Sequence, residues 1–223
     1  MKSNLYTLDM NKEQIRNGCI LAALAHAMMV AHYPELSHEH SWDGVNYNVQ
    51  DSSGTRGTIT FDEKWIIAAF QKEESDRLNH NDWYSNGSKS APDEVVQIAA
   101  NETFQYLLDE ISGSLVPSIS AVFWGDDKNI YSPDNQDDLL LHGGDIILNQ
   151  LSEFEESLES WIKYYEMNTE QIELLTMLYY KKINNPSESI YLTVKEIKML
   201  GTTDEEGLRE SKESFDELGI YWG

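Results

Sequence analysis

With 6 Trp, 12 Tyr, 6 Phe and 40% hydrophobic side chains, the 223-residue chain is too aromatic for a disordered protein and long enough for one large or two small domains. Its 39 acidic against 16 basic side chains give a net charge of −23, which repels phosphate backbones and anionic lipid and steers basic proteins inward. Nucleic acid and membrane are therefore excluded as expected partners. The acidity is spread: residues 1–149 hold 23 acids and 9 bases, residues 150–223 hold 16 and 7, for net charges of −14 and −9.

The start, MKSNLYTLDMNKEQ, lacks the apolar stretch of a signal peptide, and the lone cysteine, Cys19, fits a reducing compartment. The expectation is a cytoplasmic protein. A first helix is predicted from about Asn11, its cap, to Tyr33, ended by Pro34. Its most apolar run, Gly18 to Ala31, spans 14 residues where about 20 are needed to cross a bilayer, so it reads as a buried core helix. Val45, Tyr47 and Val49 then alternate with Asn46, Asn48 and Gln50, and Ile59 and Phe61 with Thr58 and Thr60. Two period-two runs around a Ser/Gly turn predict an antiparallel hairpin over 45–61, and WIIAAF from Trp65 predicts a more buried third strand.

Residues 79–91 read as a loop by composition. Pro92 opens a helix carrying Val95, Ile98, Ala99, Tyr106, Leu107 and Ile111 as far as Gly113. SISAVFW reads as a strand, and the stretch from Gly125 to Asp145 as polar and Asp-rich. From Ile146 the character changes to helical spacing, in LNQLSEFEESLESWIKYYEM, QIELLTMLYYKKI, TVKEIKML and DEEGLRESKESFDEL. The expected fold is α+β, an N-terminal helix plus an antiparallel sheet layer in residues 1–148, followed by an all-helical region in 149–223.

Three groups of residues invite chemical readings. His26, His32, His38 and His40, with Glu35 and Glu39, carry metal-ligand chemistry but match no established zinc spacing. The expectation is a solvated histidine loop with no bound metal or other cofactor, and with His38 and His40 as the ligands if one were held. Cys19, preceded by Gln14, faintly resembles the nucleophile and oxyanion pair of papain-like peptidases, which implies a partner histidine, His142 or His38. An apolar helix raises a thiol's pKa, however, so the thiol is expected to be buried and inert. GDDKNIYSPDNQDD lacks the sixth-position Gly and twelfth-position Glu of a calcium loop, and no phosphate-binding motif follows Gly54 and Gly57.

From about Thr169 to Ile220 the helix order resembles a winged helix-turn-helix module. QIELLTMLYYKKI matches its first helix, and TVKEIKMLG its second, with Thr193 as cap, Ile197 and Leu200 inward and Gly201 at the turn. DEEGLRESKESFDELGI takes the recognition position, but Asp204, Glu205, Glu206, Glu210 and Glu213 stand there against Arg209 and Lys212 alone. The resemblance so modified implies an interaction platform or a helical core, not a reader of DNA. In composition, aromatic richness and size the whole chain resembles the small acidic immunity and antitoxin proteins of bacteria, which block basic nuclease toxins. That resemblance implies a non-catalytic module binding a basic protein through Trp42, Asp43, Trp83, Asp126, Asp127, Asp137, Asp138, Glu205 and Glu206. Trp124, in an alternating strand, reads as core. The alternatives are a DNA mimic that occupies a DNA-binding protein, and an enzyme using Cys19 or the histidines.

Overall fold

In the computed structural model, residues 5–79, 90–111 and 113–223 are described. The elements run β1 (Tyr6–Leu8), α1 (Lys12–Met29), β2 (His40–Asp43), β3 (Asn46–Gln50), β4 (Arg56–Phe61), β5 (Ile66–Gln71) and α2 (Asp93–Asn101). Then come β6 (Leu108–Ile111), β7 (Ser114–Pro117), β8 (Ala121–Gly125), β9 (Ile130–Ser132) and α3 (Gln136–Leu141). The chain closes with α4 (Phe154–Tyr165), α5 (Thr169–Asn184), β10 (Ile190–Leu192), α6 (Val194–Lys198), α7 (Glu205–Glu217) and β11 (Ile220–Trp222). They fall into two units, one of Val45–Leu148 with the chain up to Glu13, the other of Gln14–Gly44 with Asn149–Gly223.

In the first unit six strands are hydrogen-bonded in the order β1-β9-β8-β5-β4-β3, each pair antiparallel. The 45–61 hairpin is present, with Tyr47 opposite Ile59 and Val49 opposite Gly57. Every residue of β5 is buried, because both faces of this central strand are covered. On one face Ile67, Ala69, Val122 and Trp124 pack with Val95, Ala99, Phe104, Leu107 and Ile119, which makes Trp124 core. On the other, Phe70 and Phe123 lie 6.0 Å apart and Gly143 backs against Phe70. The polar side of the hairpin is buried too. Thr60 Oγ1 donates to Asn46 Oδ1 (2.7 Å) and Thr58 Oγ1 to Asn48 Oδ1 (2.8 Å), so burial leaves these groups paired.

The second unit is built on α1. Asn11 Oδ1 accepts from the Glu13 amide at 2.8 Å at the helix start. The helix is buried all along Gly18–Met29 because other helices approach it closely. A Cβ on Gly18 would lie 2.0 Å from the Gln150 carbonyl oxygen, and one on Gly207 of α7 would lie 2.2 Å from that of Ala31. One turn on, Ser211 Oγ donates to the Ala27 carbonyl at 2.6 Å, so α7 docks through a stripe of small residues. Capping boxes at Asn168 with Gln171 and at Thr193 with Glu196 start α5 and α6.

Mixed α+β architecture with an antiparallel sheet is thus present, but three expectations about order are corrected. A strand precedes α1. The C-terminal region is not all helical, since β10 and β11 pair in parallel there. The helix from Pro92 ends at Asn101, and Leu108–Ile111 is a strand paired with Ser114–Pro117. Glu102 leaves the helix at φ −121°, ψ −82°, and Gly113 at φ +81° supplies the turn that folds the hairpin back.

Candidate functional site

The second unit holds a buried cluster of chemistry-bearing side chains. Within the core helix, His26 is only 1% exposed. Pro34 starts a 3₁₀ turn at Pro34–Leu36, and the Glu39 amide donates to the Leu36 carbonyl (2.8 Å). The chain thereby doubles back, and buried Glu39 and His40 come to lie beside His26. One ligand atom from each of the three residues lies within 4.8 Å of the other two. The His26 and His40 rings are 5.0 Å apart, and Trp161 meets His40 edge-on at 5.4 Å. Helix α4 supplies that wall, because Ser157, Trp161 and Tyr165 share its buried face at a spacing of four.

Hydrogen bonds fix the orientations. His26 Nε2 sits 3.4 Å from the Ser37 carbonyl and Nδ1 sits 3.3 Å from the Tyr165 hydroxyl. The Tyr164 hydroxyl donates to the Glu39 carboxylate at 3.1 and 3.2 Å. Burial lowers His26 to about 4 and holds His40 well below the usual imidazole range, so both rings are neutral at pH 7. Burial and the Glu39 charge raise Tyr164 and Tyr165, which keeps both phenols protonated. Among the described residues, Trp161 Nε1 and Ser157 Oγ are buried without a hydrogen-bond partner. The solvated-loop expectation is corrected here: His40 is buried, while His38 is exposed and outside the set.

A second feature of the same unit is an acidic corner. Half-buried Trp42 donates its backbone N–H to the Glu217 carboxylate (2.8 Å) and its indole N–H to the Gly44 carbonyl (3.0 Å). Burial, together with the Asp43 and Glu213 charges, raises Glu217 above the usual carboxylate range, against the opposing pull of the Trp42 hydrogen bond. Glu217 thus feels the repulsion of two further carboxylates beside the Trp42 backbone.

The other sequence candidates scatter. Glu205 and Glu206 are exposed in the first turn of α7, where their charge suits the helix dipole. Asp126 accepts from the Lys128 and Asn129 amides, which lowers its pKa, and exposed Asp127 pairs with Lys12 at 3.4 Å. Asp137 and Asp138 open α3, where the Asp138 carboxylate accepts from Asn135 Nδ2. These four lie in the first unit, apart from the Trp42 corner in sequence and in unit. Trp83 lies outside the described residues.

For the thiol reading, Cys19 is fully buried, and burial pushes its pKa well above the ordinary value. Gln14 Nε2 donates to the Leu151 carbonyl (3.0 Å) and to Glu153 (3.2 Å), which is a structural tie. In the first unit His142 shares a 2.8 Å hydrogen bond with Ser75, a partner with no signal in the sequence. Cys19, Gln14 and His142 are therefore not gathered within one unit. Comparison with protein-family models, curated proteins and solved structures finds no match for this chain.

Proposed function

We propose that this protein is a non-catalytic acidic module that binds a basic protein, in the manner of an immunity protein or antitoxin, and that the Trp42 corner is part of the contact. The observation carrying this reading is that the Asp43 and Glu213 charges act on Glu217, whose carboxylate accepts the backbone N–H of half-buried Trp42. A carboxylate held above its usual range by burial and by neighbouring negative charge, as Glu217 is, gains when a cation arrives, and a partner's Arg or Lys supplies one. The indole adds an aromatic anchor inside an acidic rim, the usual make-up of a hot spot. The net charge of −23 supplies the long-range steering.

The experiment uses the full chain and a basic protein recovered with it from its native host. Trp42→Ala should weaken binding at least about tenfold, in the hot-spot range, while the melting temperature stays within a few degrees. Glu217→Gln should weaken it less. Unchanged affinity in both variants, with the wild type binding tightly, sinks the assignment to this corner.

A further inference from the structure

We propose that His26, Glu39 and His40 form a binding site for a divalent transition-metal ion of the zinc class, held by two imidazole nitrogens and one carboxylate. The three ligand atoms lie within 4.8 Å of one another, so a single point exists within about 2.8 Å of all three. Zinc bonds to nitrogen and carboxylate oxygen are about 2.0–2.2 Å, so each side chain has to move inward by roughly 0.7 Å. Small rotations of χ angles supply that.

The donor set suits the ion. Two imidazoles and one carboxylate select a transition metal over calcium or magnesium, which prefer oxygen alone. The Ser37 carbonyl can only accept, so His26 Nε2 carries the proton and Nδ1 carries the lone pair, now capped by the Tyr165 hydroxyl. A metal-ligating histidine is held in this way, its far N–H donated to a backbone carbonyl. The Tyr164 hydroxyl orients the Glu39 carboxylate likewise. Trp161 and Tyr165 wall the site against water, and Tyr164, at 55% exposure, marks the side nearest solvent. His38, exposed one residue before Glu39, takes no part.

The test is zinc binding by the full-length protein, stripped with a chelator and then dialysed against zinc sulfate. About one zinc per chain should be retained, and the melting temperature should rise with zinc concentration. Glu39→Gln and His40→Gln should lower zinc affinity at least tenfold, and His38→Ala should leave it within threefold. Cobalt in place of zinc should give the strong visible absorption of a four- or five-coordinate site. Should the variants fail to fold, the wild-type stoichiometry, melting shift and cobalt spectrum still decide. No retained zinc and no melting shift in the folded wild type overturns the proposal, and so does binding lost in His38→Ala but kept in His40→Gln. In either case the cluster is a hydrogen-bonded core alone.

Discussion

Acid should destabilise the second unit through His26, and the sign follows from its depressed pKa. The native ring stays neutral down to about 4, whereas the unfolded chain protonates it near 6.5. Between those values the unfolded state binds more protons, so stability is fully present above about pH 6.5 and falls as pH drops toward 4. The loss from this ring is about 1.4 kcal/mol at pH 5.5 and about 3 kcal/mol at pH 4, at about 1.36 kcal/mol per pKa unit. His40 acts in the same direction. The groups packed around the ring are His40, Glu39, Tyr164, Tyr165 and, more distantly, His38. Raised carboxylates such as Glu217 and Asp134 work the other way, so the raw pH curve mixes opposing contributions. The assay is therefore a difference: urea unfolding of wild type and His26→Gln at pH 7.5, 6.5, 5.5 and 4.5, with chelator present. The variant should start less stable and lose less as pH falls. Parallel curves, or an imidazole signal from His26 titrating near 6.5 by NMR, refute the reasoning.

Gly18→Ala should destabilise the protein by about 2 kcal/mol in a thermal melt. The clash with the Gln150 carbonyl outweighs the gain of about 1 kcal/mol in helix propensity, and a higher melting temperature would contradict the close packing. Arg77 donates to both oxygens of the Asp134 carboxylate (2.7 and 3.0 Å) and to the Ser120 carbonyl. Arg77→Ala strands a buried carboxylate and should cost about 3 kcal/mol by urea unfolding, where a change under about 0.5 kcal/mol marks the pair as unimportant. Cys19 should resist alkylation in the native state and react only after unfolding, as mass spectrometry under native and denaturing conditions will report.

Local pattern made α1, the 45–61 hairpin and β5 legible, because period-two alternation and an unbroken apolar run are properties of neighbouring residues. Leu107 to Ile111 misled: its apolar spacing continues the helix from Pro92, yet Leu107 is buried under the sheet after a 3₁₀ turn and Leu108–Ile111 pairs across Gly113. The three-residue strands β10 and β11 are too short to alternate visibly. Association of α1 with the helices after residue 149 rests on Gly18 against Gln150 and Ser211 against Ala27, pairings that span most of the chain. The histidine cluster failed to read for a related reason. His38 and His40 stand close in sequence, but strand β2 buries only the second, and the partner His26 is brought in by the turn at Pro34. The signal available was a histidine inside an otherwise apolar helix.

Steering by charge is the part of the binding account most directly open to measurement. The association rate with the basic partner should fall steeply as salt rises from low to physiological, where exposed charges are screened beyond about 8 Å. Dissociation should change little with salt in the wild type and quicken in Trp42→Ala, because a desolvated aromatic anchor holds the complex. An association rate flat in salt, with Trp42→Ala dissociating as slowly as wild type, would contradict both the steering and the anchor.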